Sequence, residues 1–239
     1  MNSVFNMCSL LTTVAVNICL TVSASEIDLS DATIVRMSSS AVVAKASVML
    51  QEELFVRSGI SLRITDQTPE DGVVIRLGTV ADLPGVDVPN QAEAYGVEAS
   101  GNVVDLAGFD ERGTLYAAGR LIRLATYKPG TLTLNLIQPI ATAPDAAVRV
   151  HQLAYRNTAN TYDAWTVEVY EQYIRDLIMF GCNGIELINS LDPEEKDGPV
   201  MAERMRAMNV ALAKLIHSYG IDVWVWSPVM SISDEDVTT

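Results

Sequence analysis

The sequence predicts two units of different architecture. The first is an α+β domain with a mostly antiparallel sheet and two helices; the second is a βα segment of about three parallel strands. Three observations predict this. Before about Ala147, strands outnumber helices and hairpin signals occur. After Val148 the pattern runs strand, helix, strand, helix, strand, which is the βα repeat of a parallel sheet. Between them, Gln138–Ala147 carries Pro139, Pro144 and four alanines, the composition of a linker.

Each element has a local reason. Ile34-Val35-Arg36-Met37 reads as a short strand, and Ala41–Arg57 sets Val42, Val43, Ala46, Met49, Leu50 and Leu54 at helical spacing. Ser58-Gly59 stops that helix. Leu62–Ile64 and Val73–Leu77 read as strands, separated by the turn signal Thr68-Pro69-Glu70-Asp71-Gly72. Tyr95–Glu98 and Val103–Leu106 flank Ser100-Gly101-Asn102 as a hairpin. Asp110 caps a helix over Arg112–Ala125, and Thr131–Leu136 closes the domain as a strand. In the second unit Val148–Tyr155, Gly184–Ile188 and Ile221–Trp226 are strands. Thr166–Phe180, capped by Thr166, and Pro199–Tyr219, ended by Gly220, are the helices between them.

Composition narrows the class. The 239 residues are 49% hydrophobic and 19% charged, enough to bury a core and too apolar for a disordered chain. Sixteen Lys and Arg face 30 Asp and Glu, giving a net charge of −14. Nucleic-acid binding needs a basic face, so it is excluded as a leading reading, and adhesion to anionic lipid is disfavoured on the same ground. Met1–Ser25 holds no charged side chain, and its apolar stretch Ser9–Val22 is too short and too polar to span a bilayer. Val22-Ser23-Ala24 presents small residues to a cleavage site at Ala24–Ser25. Residues 1–24 are therefore expected to be a secretory signal, with the mature protein periplasmic or secreted and off the membrane. Cleavage leaves Cys182 alone, so neither a disulfide nor a thiolate metal site is expected, and no cofactor loop is present.

Seven stretches resemble a known assembly. Met49–Ile60, Val74–Gly78 and Gly108–Ile122 are similar to the small α+β accessory domain that precedes the catalytic barrel in family 20 β-hexosaminidases and family 67 α-glucuronidases. Arg149–Arg156, Asn160–Trp165 and Tyr170–Leu177 look like the opening of the barrel in bacterial α-glucuronidase-like hydrolases, although Val150 stands where a Gly often follows the first Arg. Asp222–Pro228 resembles their third barrel strand. The resemblance implies an accessory domain over residues 25–147. It also implies an incomplete (β/α) barrel over 148–239, against the roughly 250 residues of eight βα units. Such enzymes draw most of their acid and base carboxylates from later strands, so no catalytic residue is expected in this stretch. The chain is expected to be inactive alone, with a partner chain as one source of the missing strands. A non-catalytic module that binds carbohydrate or a partner, or a nonfunctional gene remnant, is the alternative.

Six residues are candidates for substrate contact. Asp163 and Glu186 are the acids at or near the C-terminal ends of βα strands, where barrel sites lie. Asp163 either reaches the site or braces the helix at Thr166; Glu186 either points into the barrel or pairs with Arg156. Trp224 and Trp226, two apart on a strand, share a face and either stack on sugar rings or fill the core. Arg149 and Arg156 bracket the first strand as donors for hydroxyls or a uronate, or as partners for barrel acids. His151 and His217 have no partner at metal-ligand spacing, so no metal site is expected.

Overall fold

The structure, a computed structural model, describes residues 26–153, 164–188 and 199–226, without the side chains of 188, 199–205 and 226. The expected signal, residues 1–24, lies outside the described residues. The first part of the chain forms β1 (Ile27–Asp28), β2 (Thr33–Arg36), α1 (Ala41–Ser58), β3 (Arg63–Thr65), β4 (Val74–Thr79), β5 (Tyr95–Ser100) and β6 (Val103–Gly108). It continues with α2 (Glu111–Leu124), β7 (Thr126–Lys128), β8 (Thr131–Leu134) and β9 (Ile140–Thr142). The second part is β10 (Val150–Gln152), α3 (Val167–Met179), β11 (Gly184–Ile188), α4 (Pro199–Ser218) and β12 (Asp222–Trp226).

The larger sheet corrects the expected antiparallel architecture. Its strand order is β3-β2-β4-β6-β5-β9. The β3–β2, β2–β4 and β4–β6 pairs are parallel, and only β6–β5 and β5–β9 are antiparallel. The reason is connectivity. Helix α1 carries the chain from the end of β2 back to the start of β3, and such a crossover aligns strands in parallel. The tight turn at Gly101-Asn102 is what forces the β5–β6 hairpin. A small antiparallel sheet, β1-β8-β7, stands beside α1. The linker expectation also fails: Ile140–Thr142, between its two prolines, is the edge strand β9. Proline is tolerated next to an edge strand because only one side of that strand must pair.

The helices begin for legible reasons. The Ser40 hydroxyl accepts the Val42 N–H at 3.1 Å, and the Asp110 carboxylate accepts the Gly113 N–H at 2.8 Å. Thr166 occupies the N-cap of α3 without a side-chain capping bond. Its hydroxyl instead bonds Glu168 and, with the Glu168 backbone N–H, holds that carboxyl below its ordinary value.

The layers stack β–α–α–β. Helices α1 and α2 cover one face of the large sheet, where Ile34, Ile75, Leu77, Val97, Val104 and Leu106 are fully buried. On their other side α2 meets α3 and α1 meets α4, and α4 lies on β11 and β12. One continuous core therefore runs from Leu29 to Ile221 across both parts of the chain. The apolar faces of α3 and α4 are covered by α2 and α1. Gly119 makes the approach close enough: a Cβ there would sit 2.9 Å from the Met179 Cα, so any side chain would push α2 off the end of α3.

Polar groups lock the same seam. Glu53 on α1, 1% exposed, accepts from Arg57 on its own helix and from Gln172 and Arg175 on α3. Arg175 also meets Glu171 at 2.9 Å and the Tyr219 hydroxyl at 2.7 Å, while Lys45 of α1 reaches Glu171 at 3.0 Å. Burial alone would raise the Glu171 carboxyl; hydrogen bonds from Tyr219, Lys45 and Arg175 overcome it and bring the pKa down to about 2.

Candidate functional site

The three-stranded sheet β10-β11-β12 is parallel throughout, as expected. Its register puts Val150, Gly184 and Asp222 in one row, His151, Ile185 and Val223 in the next, and Gln152, Glu186 and Trp224 in the third. Alternation then sorts the faces. Ile185 and Leu187 are buried toward the helices, and His151 Nε2 lies 2.9 Å from the Tyr173 hydroxyl on α3. Gln152, Glu186 and Trp224 consequently stand side by side on the face turned away from the helices, the inner face of a βα wall.

Two of the six expected contact residues are thus brought together. Glu186 is half-buried in mid-row, and Trp224 is 47% exposed beside it. The indole does not reach toward the strand C-termini. A Cβ on Gly184 would lie 3.2 Å from Trp224 Nε1 and 2.8 Å from Val150 Cγ2, so the ring crosses the space that Gly184 leaves empty. Since Gly184 opens β11, Trp224 leans toward the N-terminal end of the sheet and lays an aromatic floor below Glu186. Trp226 pairs with Ile188 at the end of β12, and its side chain is outside the described atoms. Arg156 and Asp163 lie outside the described residues.

Arg149 goes elsewhere. It precedes β10 at the N-terminal edge of the sheet, opposite to the end where barrel sites form. Its Nε donates to the Gly181 carbonyl at 2.6 Å, one terminal nitrogen donates to the Ala146 carbonyl at 2.7 Å, and the other pairs with Glu93. The guanidinium also stacks 5.6 Å from the Tyr116 ring centre. Every donor edge is directed to the seam between the two parts of the chain.

Glu93 is the hub of that seam and was invisible in the sequence. It is nearly buried, with a backbone φ of 64°, and accepts from Arg112 at 3.2 Å, from Asn183 at 3.2 Å and from Arg149. Arg112 continues to the Gly220 carbonyl and to Asp222 at the start of β12. Burial would lower the Arg112 pKa; bonds to Asp222 and Glu93 hold it raised. Burial, then the Glu93 charge, raises the Tyr116 phenol. These partners are 19 to 110 residues apart, so no local pattern announces them.

Among the described residues no cluster of His, Cys, Asp or Glu could hold a metal ion, and no helix is long and apolar enough to cross a membrane. No protein-family model matches the chain, and no curated protein does. Solved structures do. An exo-β-N-acetylglucosaminidase of glycoside hydrolase family 20 from Vibrio harveyi, solved with N-acetylglucosamine, aligns with a TM-score of 0.63. The alignment has 14% identity and covers 85% of this chain and 34% of that one. The fold is similar to part of that enzyme's fold. The N-acetyl-β-hexosaminidase of Streptomyces plicatus aligns with a TM-score of 0.63 and 15% identity, over 87% of this chain and 44% of that chain. A family 84 structure, CpGH84B, aligns with a TM-score of 0.60 and 18% identity, over 91% and 38%. The chain spans 34–44% of the length of these three structures. The likeness is one of fold, and nothing in it speaks for the α-glucuronidase label.

Proposed function

We propose that this chain is the front of an exported carbohydrate-processing hydrolase. Residues 1–24 act as its cleaved signal, about 25–147 as an accessory α+β domain, and 148–239 as the first three βα strands of its catalytic barrel. The substrate is a glycoside, a hexosaminide by fold likeness, with a glucuronide as the alternative drawn from the sequence motifs. Arg156, Asp163, Glu186, Trp224 and Trp226 belong to the substrate cleft in this reading; Arg149 is a brace.

The observation that carries the proposal is the inner face of β10-β11-β12. It sets Glu186 in mid-strand beside Trp224 and turns both away from the helices, the side of a βα wall that faces inward when a barrel closes. Glycoside hydrolysis needs two carboxyl groups about 5–5.5 or 6.5–9.5 Å apart across the scissile bond. On the described part of this face the other carboxylate, Asp222, is committed to Arg112 at the far edge. The 239-residue polypeptide by itself is therefore expected to leave aryl N-acetylglucosaminides and aryl glucuronides unhydrolysed. The test is to extend the chain with the sequence encoded downstream until eight strands are present, then assay both substrates. Turnover gained by the extension and lost on Glu186→Gln supports the reading. Turnover by the 239 residues alone, abolished by both Asp163→Asn and Glu186→Gln, or downstream DNA encoding no βα units, overturns it.

A further inference from the structure

A second recess lies at the seam, behind the sheet that carries Glu186. It is a cleft of about 180 Å³ whose floor is the edge of the large sheet and whose walls are α2 and the end of α3. Tyr95 and Thr142 are cross-strand neighbours on β5 and β9. Tyr95 shares its face with Val97, which is buried against the helices, so both side chains turn toward α2. Arg123 of α2 and Phe180 after α3 complete the cleft, with Glu93 and Arg149 at its back.

The recess holds an arginine without an acidic partner beside an exposed aromatic ring. Arg36, Arg57, Arg76, Arg112, Arg149 and Arg175 each meet a carboxylate. Among the described residues Arg123 meets none, and neither do Arg63 and Arg120, although the chain carries 30 acids against 16 bases. Among the described residues its guanidinium meets only the Phe180 ring, 4.9 Å from the centre. Phe180 is itself 76% exposed, and an aromatic side chain left that open in a helix-terminal turn is not serving the core. The Tyr95 and Thr142 hydroxyls have no hydrogen-bond partner among the described residues. Two guanidinium groups face one carboxylate, Glu93, so the cleft holds a surplus of positive charge.

We propose that this cleft binds a single acidic sugar residue, a hexuronate, as a carbohydrate-anchoring subsite separate from the barrel face. The proposal rests on the carbohydrate reading above. The cleft is smaller than the ~300–1,000 Å³ of pockets for drug-sized ligands, which suits one ring rather than an oligomer. Arg123 supplies the planar fork that matches a carboxylate. The exposed Phe180 face suits the C–H side of a pyranose, and the Tyr95 and Thr142 hydroxyls suit ring hydroxyls. An inorganic anion would use the arginine and leave the ring and both hydroxyls unengaged.

The probe is methyl β-D-glucuronide, titrated into the folded 239-residue protein and followed by NMR chemical-shift changes, with methyl β-D-glucoside and inorganic phosphate as controls. Saturable binding is expected, weakened roughly tenfold or more by Arg123→Gln, the scale of one lost charged hydrogen bond. Phe180→Ala should weaken it less, and the glucoside should bind correspondingly worse. Arg123 and Phe180 are exposed, so both variants should keep the wild-type fold, checked by circular dichroism. Absence of saturation, equal affinity for the neutral glucoside, equal affinity for phosphate, or binding indifferent to Arg123→Gln would each overturn the subsite. Binding abolished by Trp224→Ala but not by Arg123→Gln would move the sugar to the barrel face, leaving the reading of that face intact while sinking this one.

Discussion

Replacing Glu53 with alanine removes a carboxylate that is 1% exposed and joins the two parts of the chain. Its loss deprives Gln172 of bonds at 3.2 and 3.4 Å and Arg175 of a contact at 3.5 Å. Breaking an isolated buried ion pair costs about 3–5 kcal/mol. Here Arg175 keeps Glu52, Glu171 and Tyr219, and Arg57 keeps the Glu53 carbonyl, so the cost falls to about 2–3 kcal/mol. With a urea slope of about 3 kcal/mol/M for a domain of this size, the midpoint should drop by somewhat under 1 M. The three tryptophans, Trp165, Trp224 and Trp226, all lie in the second part, so fluorescence reports that part while far-UV circular dichroism reports both. Because one core runs through both parts, the two signals should give coincident transitions in the wild type and shift together in Glu53→Ala. A fluorescence transition that shifts while the dichroism of the first part stays in place would refute the single-unit reasoning.

Three further outcomes follow from named contacts. Gly119→Val should destabilise by about 3 kcal/mol or more, above ordinary overpacking, because its Cβ meets the Met179 backbone rather than a side chain that could turn aside; thermal unfolding reads it. Glu171 has a folded-state pKa of about 2 against an ordinary 4.5, so its contribution to stability is present above about pH 4.5 and is lost as pH falls toward 2. The stability gap between wild type and Glu171→Gln should therefore narrow across that window, and a constant gap would contradict the assignment. The mature protein from exported material should begin at Ser25 by intact mass, whereas a mass retaining residues 1–24 would count against the signal.

Much of the local order was legible because its causes are local. Asp110 starts α2 through a side chain that bonds backbone three residues on, and the Gly101-Asn102 turn fixes a hairpin. The alternation after Val148 gave the parallel sheet because βα spacing leaves a strand no other return. The parallel half of the larger sheet was missed because hairpin and crossover strands look alike residue by residue. Only the path of α1 tells them apart. The site divides in the same way. Period-two alternation put Trp224 and Trp226 on one face, but Glu186 stands beside Trp224 through the register of β11 with β12, and the lean of the indole depends on Gly184 from the neighbouring strand. Arg149 looked like a substrate ligand because nothing near it in sequence shows Glu93.

The sequence by itself determined the four helices, most of the longer strands, the Asp110 cap and the change of rhythm at Val148, since these follow from propensity, periodicity and hydrogen bonds over a few residues. Tertiary structure alone decided that the two parts share one core, that β9 belongs to the first sheet, and that Glu93, Arg112, Arg149, Asn183 and Asp222 meet. The physical reason is distance along the chain. Burial against a partner up to 110 residues away sets which charge is paired and which face is covered, and no local pattern encodes that choice.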